Sequence, residues 1–103
     1  SPGTRTGAIP IQLGSINFSI DQTSKTFVVG QWVSICKTTS PNTEWMLGPI
    51  TAFTSGTGAM TVFVVALNGT GTHSGWTVSA ASPTVVIQPV GSILYMNDAF
   101  GVL

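Results

Sequence analysis

Ser15-Ile16-Asn17-Phe18-Ser19-Ile20-Asp21 decides the fold class. Ile16, Phe18 and Ile20 fall on one side of an extended chain, and Ser15, Asn17 and Ser19 on the other. Successive side chains of a strand point to opposite faces, so a period of two reads as a half-buried β-strand. The pattern spreads downstream. Residues 26–29 (TFVV) and 31–37 (QWVSICK) read as further strands split by Gly30, the second setting Val33 and Ile35 against Trp32, Ser34 and Cys36. Residues 38–43 (TTSPNT) are loop chemistry with Pro41-Asn42 as the turn. Residues 44–54 resume an extended run in which Gly48-Pro49 should force a bulge, a bend or an edge position. Ser55-Gly56-Thr57-Gly58 then turns into residues 59–67 (AMTVFVVAL), apolar on both faces and so expected in mid-sheet, covered on both sides.

Residues 68–75 (NGTGTHSG) read as an eight-residue glycine-rich connection. Trp76, Val78 and Ala80 then alternate with Thr77, Ser79 and Ala81, and residues 84–88 and 92–96 add two short strands around Pro89-Val90-Gly91. Val, Ile and Thr supply 34 residues against a single Glu and two Lys, which favours pleated strands over helices. The expectation is an all-β antiparallel sandwich or barrel, jelly-roll-like, of seven to eight short strands spanning residues 15–96. Residues 1–14 hold Pro2, Gly3, Gly7, Pro10 and Gly14 and are expected to form an extended N-terminal arm with little paired strand. Residues 97–103 form a C-terminal arm whose Phe100, Val102 and Leu103 either tuck against the chain's own core or dock on a neighbouring subunit.

The composition narrows the function. A length of 103 residues fits one domain with one core. Charged residues are 6% and the net charge is zero, so the basic footprint of a nucleic-acid binder is missing. Mean hydropathy is +0.43. Yet the longest apolar run, Val62 to Leu67, is far short of the ~18 residues of a membrane-spanning helix. No basic stretch followed by an apolar one opens the chain, so no secretory leader is expected. Cys36 is the single cysteine and cannot form an intrachain disulfide. A surface with so little charge, served by 26 Ser and Thr residues, suits lasting contact with other protein and points to a homo-oligomer, a trimer first.

Catalytic and metal chemistry find little to use. Asp21, Glu44 and Asp98 are the only acidic side chains and are expected in a turn, at a strand start and in the terminal arm, which disfavours a glycosidase pair. A Cys-His or Ser-His-Asp nucleophile would have to recruit His73, the only histidine, from a glycine-rich loop. No metal-ligand spacing and no phosphate-loop ending are present, so neither metal nor cofactor is expected and the chain reads as no enzyme. The Asn68-Gly69-Thr70 sequon is read as coincidence. Aromatic residues carry more. Trp76 is in phase with Val78 and reads as core, whereas Trp32, Trp45 and Tyr95 are candidates for an interface or a sugar-stacking platform. Phe100, Val102 and Leu103 complete the candidate contact set.

The order of motifs resembles a β module recurrent in tailed-bacteriophage virion proteins. The resemblance runs through Ser24-Lys25-Thr26-Phe27, Gly30-Gln31-Trp32-Val33 and Trp45-Met46-Leu47-Gly48-Pro49-Ile50-Thr51. It continues with Thr57-Gly58-Ala59-Met60-Thr61-Val62 and Gly69-Thr70-Gly71-Thr72-His73-Ser74-Gly75-Trp76-Thr77-Val78, covering residues 16–82, two thirds of the chain. The family's module sits in tail fibres, spikes and other particle-surface proteins, and no catalytic residue comes with it. The module usually belongs to a long fibre polypeptide, whereas this chain stops soon after it, as a free-standing small copy would. The resemblance thus implies a non-enzymatic virion structural protein made in the host cytoplasm and placed on the particle surface. It would be a capsid decoration (cement) protein bridging major capsid subunits. The alternative is the receptor-binding module of a tail fibre or spike that recognises host-surface glycan; outside a phage, a generic carbohydrate-binding module. Neither nucleic acid nor membrane is an expected partner.

Overall fold

The computed structural model describes residues 2–83. Seven strands organise them: β1 (Gly3–Pro10), β2 (Gly14–Ser19), β3 (Trp32–Lys37), β4 (Trp45–Thr54), β5 (Ala59–Val64), β6 (Ala66–Asn68) and β7 (Thr72–Ala80). All pairings are antiparallel, in the order β1-β7-β3-β4-β5-β2 with β6 also beside β4. The sheet curls into a half-barrel, so the all-β antiparallel expectation holds. The alternation that signalled β2 also places Ile16, Phe18 and Ile20 in the core. There they meet Ile9, Val33, Ile35, Met46, Ile50, Met60, Val62, Val64, Trp76 and Val78, and no described polar side chain is buried with them.

Curling brings the first and last strands of the order together. Asp21 N–H donates to Thr4 O at 2.6 Å, and Thr6 N–H donates to the Asp21 carboxylate at 3.0 Å. Gln22 clamps Thr4 from both sides, its Oε1 accepting the Thr4 N–H and its Nε2 donating to Thr4 Oγ1. Arg5 Nη1 reaches Ser19 O at 2.8 Å. Sheet edges left open invite further pairing, and these side chains cover part of both edges.

Residues 3–10, expected in an extended arm with little paired strand, are instead β1, paired along β7. Glycine and proline weaken a strand interior, but here they fit its irregularities. Thr6 and Gly7 bulge out opposite Gly75, which sits at φ 83°. Arg5 lies across the bulge, giving Nε–H and an Nη2–H to Ala8 O. The connection read over residues 68–75 shrinks for the same reason. Gly69 and Gly71, at φ 96° and 84°, make the turn, and β7 begins at Thr72 because His73 and Ser74 pair with Ile9 and Ala8. Residues 26–29 are not a strand. Val28 and Val29 are both exposed, only Phe27 is buried, and the Gly30 N–H bonds instead to Ile50 O.

Two findings concern the middle of the sheet. Residues 59–67 are not one strand covered on both sides but β5 and β6, broken at Val65. β5 is central in that β4 and β2 flank it, yet a curled single layer has only one covered face. Phe63 and Val65 are therefore 46% and 40% exposed. Of the outcomes expected at Gly48-Pro49 the edge is excluded, because β4 is paired on both sides, and the register shift between Ile50 and Ala52 is the bulge. Ile50 N–H points to Gln31 O on the β3 side, so alternation turns the Pro49 nitrogen to the other side. There the partner switches from β6 (Leu47↔Ala66) to β5 (Ile50↔Val62), and the missing N–H falls in the gap. Gly48 is needed at the same place: a Cβ would run into the backbone of Phe63 and Val64. Strands that change sheets through a bend make the corners of such folds.

The strand pattern over residues 84–96 and the arm 97–103 lie outside the described residues, and with them Tyr95, Phe100, Val102 and Leu103.

Candidate interaction surface

β3 and β4 build the outer face on which the two candidate tryptophans stand. Inward residues alternate with outward ones, so Val33, Ile35, Met46 and Ile50 fill the core. Trp32, Ser34 and Cys36 of β3 are left outside, beside Pro49, Leu47 and Trp45 of β4 in direct register. All six are half-buried. At ~3.4 Å rise per residue the five-residue ladder, four steps long, sets Trp32 and Trp45 about 14 Å apart at its two ends. Ser79 and Thr77 of β7 extend the face beside Ser34 and Cys36, and Ala66 of β6 extends it beside Leu47. Further out, Leu13 is 63% exposed and precedes Gly14, whose partner is Val64, between exposed Phe63 and Val65.

No charged residue lies between Trp32 and Cys36 or between Trp45 and Pro49. Lys37, Glu44 and His73 gather instead at one end. His73 Nε2 is 2.7 Å from Thr70 O and 3.3 Å from Glu44 Oε1, which has no hydrogen bond of its own. Asn68 Nδ2 donates to Thr43 O at 2.8 Å, and Gly69 leaves room for the Glu44 carboxylate where a Cβ would collide with it. Trp76 completes this end: its indole is buried, its Nε1–H donates to His73 O at 2.6 Å, and its ring meets the imidazole edge-on. His73 thus pins the β6–β7 turn to the β3–β4 loop. Trp76 is core, as its phase with Val78 required.

Burial pushes the Cys36 thiol up from its ordinary value, partly offset by a backbone hydrogen bond. Among the described residues no cluster of three or more His, Cys, Asp or Glu side chains could hold a metal.

Of the candidate contacts, the structure brings Trp32 and Trp45 onto one face. Sequence reading missed Leu47, Pro49, Phe63 and Val65. Their signal was present, since Trp45, Leu47 and Pro49 alternate with Met46, Gly48 and Ile50, but the Gly-Pro pair reads as a break. Comparison with family models, with curated proteins and with solved structures finds no match for this chain.

Proposed function

We propose that this chain is a non-enzymatic structural protein of a phage particle, a capsid decoration protein that cements neighbouring major capsid subunits. The observation that carries the reading is the uncharged outer face of β3 and β4, with Trp32 and Trp45 at its ends and Leu47 and Pro49 between. Indoles half-sunk in an apolar sheet bury area on contact at little cost in side-chain freedom, and tryptophan is enriched among the residues that dominate interfaces. A specific contact buries ~1,600 Å² in total. The phage particle enters this reading through the resemblance of the motif order to virion modules.

The test uses purified particles. Double substitution of Trp32 and Trp45 by Ser should lower occupancy on capsids at least tenfold while the free protein still unfolds in one cooperative transition. Copy number separates the locations: hundreds per particle mark a cement protein, a few dozen a tail fibre. Unchanged occupancy in the double variant overturns the assignment of the face.

A further inference from the structure

The other half of the curled sheet carries a cleft of about 460 Å³ bordered by Arg5, Asn17, Ser19, Phe53, Thr54 and Thr61. We propose that this cleft binds an acidic sugar, a uronate or sialate unit, with Arg5 taking its carboxylate; the inference rests on the cleft alone and not on the capsid reading. Its volume lies within the ~300–1,000 Å³ of small-ligand sites.

Arg5 is the reason for the acid. Its guanidinium gives Nε–H and one Nη2–H to Ala8 O and one Nη1–H to Ser19 O. Five N–H groups less these three leave two unspent, one on each terminal nitrogen. The group is thus held still before any ligand arrives, which lowers the entropy lost on binding. No described carboxylate neutralises it. Asp21 serves the Thr6 backbone and hydroxyl, and Glu44 lies beside His73. A guanidinium fork matches a carboxylate in shape as well as charge.

The remaining walls suit a sugar ring. Asn17 Oδ1 accepts from Thr61 Oγ1 at 2.6 Å, which fixes the amide and leaves both hydrogens of Nδ2 unspent among the described residues. The Ser19 and Thr54 hydroxyls have no hydrogen-bond partner among the described residues. Phe53 turns its ring to the core side, in register with buried Met60 and edge-on against Phe27 with centroids 5.7 Å apart, so the groups offered to a sugar here are polar ones. One cation and several neutral polar groups together select a ligand with one carboxylate on a hydroxylated ring.

The experiment titrates the full ¹⁵N-labelled chain with glucuronate, glucose and acetate while following the Arg5 Nε and Asn17 side-chain amide signals. Glucuronate should shift both with millimolar affinity, and glucose and acetate should each bind at least tenfold more weakly. Arg5→Gln should weaken glucuronate at least tenfold. Because Arg5 also ties β1 to β2, Asn17→Asp serves as the second variant. It keeps the acceptor for Thr61, removes the donor, adds a repelling charge, and should cost a similar factor in a chain that melts like the native one. Equal affinity for glucose removes the role of Arg5; equal affinity for acetate makes the cleft a bare carboxylate site of the kind an acidic protein surface could fill. Either result, indifference to both substitutions, or no shift at the cleft overturns the proposal.

Discussion

The outer face of β3 and β4 and the outer face of β5 and β2 belong to one curled sheet over one core, and they differ in what they offer a partner. The first is a ladder of Trp32, Leu47, Pro49 and Trp45 with no charge between its ends. The second pairs Asn17 with Thr61 and Ser19 with Ala59, and Arg5 leans in from β1. The inward residues of both halves are interchangeable in kind, all aliphatic, aromatic or methionine. Folding constrains the inward set, whereas the outward set is free to follow contact, large flat apolar area on one side and oriented polar groups on the other.

The sharpest way to break the contrast is at its corner. Gly48→Ala drives a Cβ into the Phe63 backbone where β4 passes from one half to the other. Backbone cannot yield as a side-chain tip can, so the substitution should cost more than about 4 kcal/mol and leave no folded population in a urea titration. Tryptophan truncation separates the inside from the outside. Trp76→Ala, at a side chain 1% exposed, should cost ~3–5 kcal/mol. Trp45→Ala should cost at most about 1.5 kcal/mol in the same titration, its loss appearing in particle binding. A Trp45 variant as damaging as the Trp76 one would make the outer face structural rather than adhesive.

Smaller effects sharpen the comparison. Thr61→Val removes the hydrogen bond to Asn17 and should cost about 1 kcal/mol in stability. It also frees the Asn17 amide to turn, so glucuronate affinity should fall with it. Cys36 reports on the apolar face. Its thiol is pushed above the ordinary ~8.5, so thiolate is scarcer than usual at neutral pH and alkylation by iodoacetamide should run several-fold slower than for a free thiol. The rate should climb as pH rises through and beyond the ordinary value. On decorated particles it should fall again, because the face is then covered.

Much of the strand pattern was legible from residues alone. Period-two runs located β2 and β3, and the phase of Trp76 with Val78 placed an indole in the core. What escaped were positions where one signal has two structural outcomes. Gly48-Pro49 reads as an interruption when only one strand is in view, but it falls in the gap between two partners of β4. The apolar run of residues 59–67 reads as coverage on both sides, and the curled layer covers one. Arg5 sits among glycines and prolines that argue against a strand, so nothing local announces a guanidinium held over a cleft.

The sequence by itself determined that this is an all-β chain, which side chains turn inward along β2, β3 and β7, and that charge is nearly absent. Those properties follow from side-chain alternation and composition, which are local. Only the tertiary structure decided that residues 3–10 join the sheet beside β7, and that Trp32 and Trp45 share a face. It alone decided that Arg5 meets Asn17 and Thr61 around one cleft. Each of these depends on which strands become neighbours and how far the sheet curls, and the free energy that selects a pairing is shared among partners far apart in the chain.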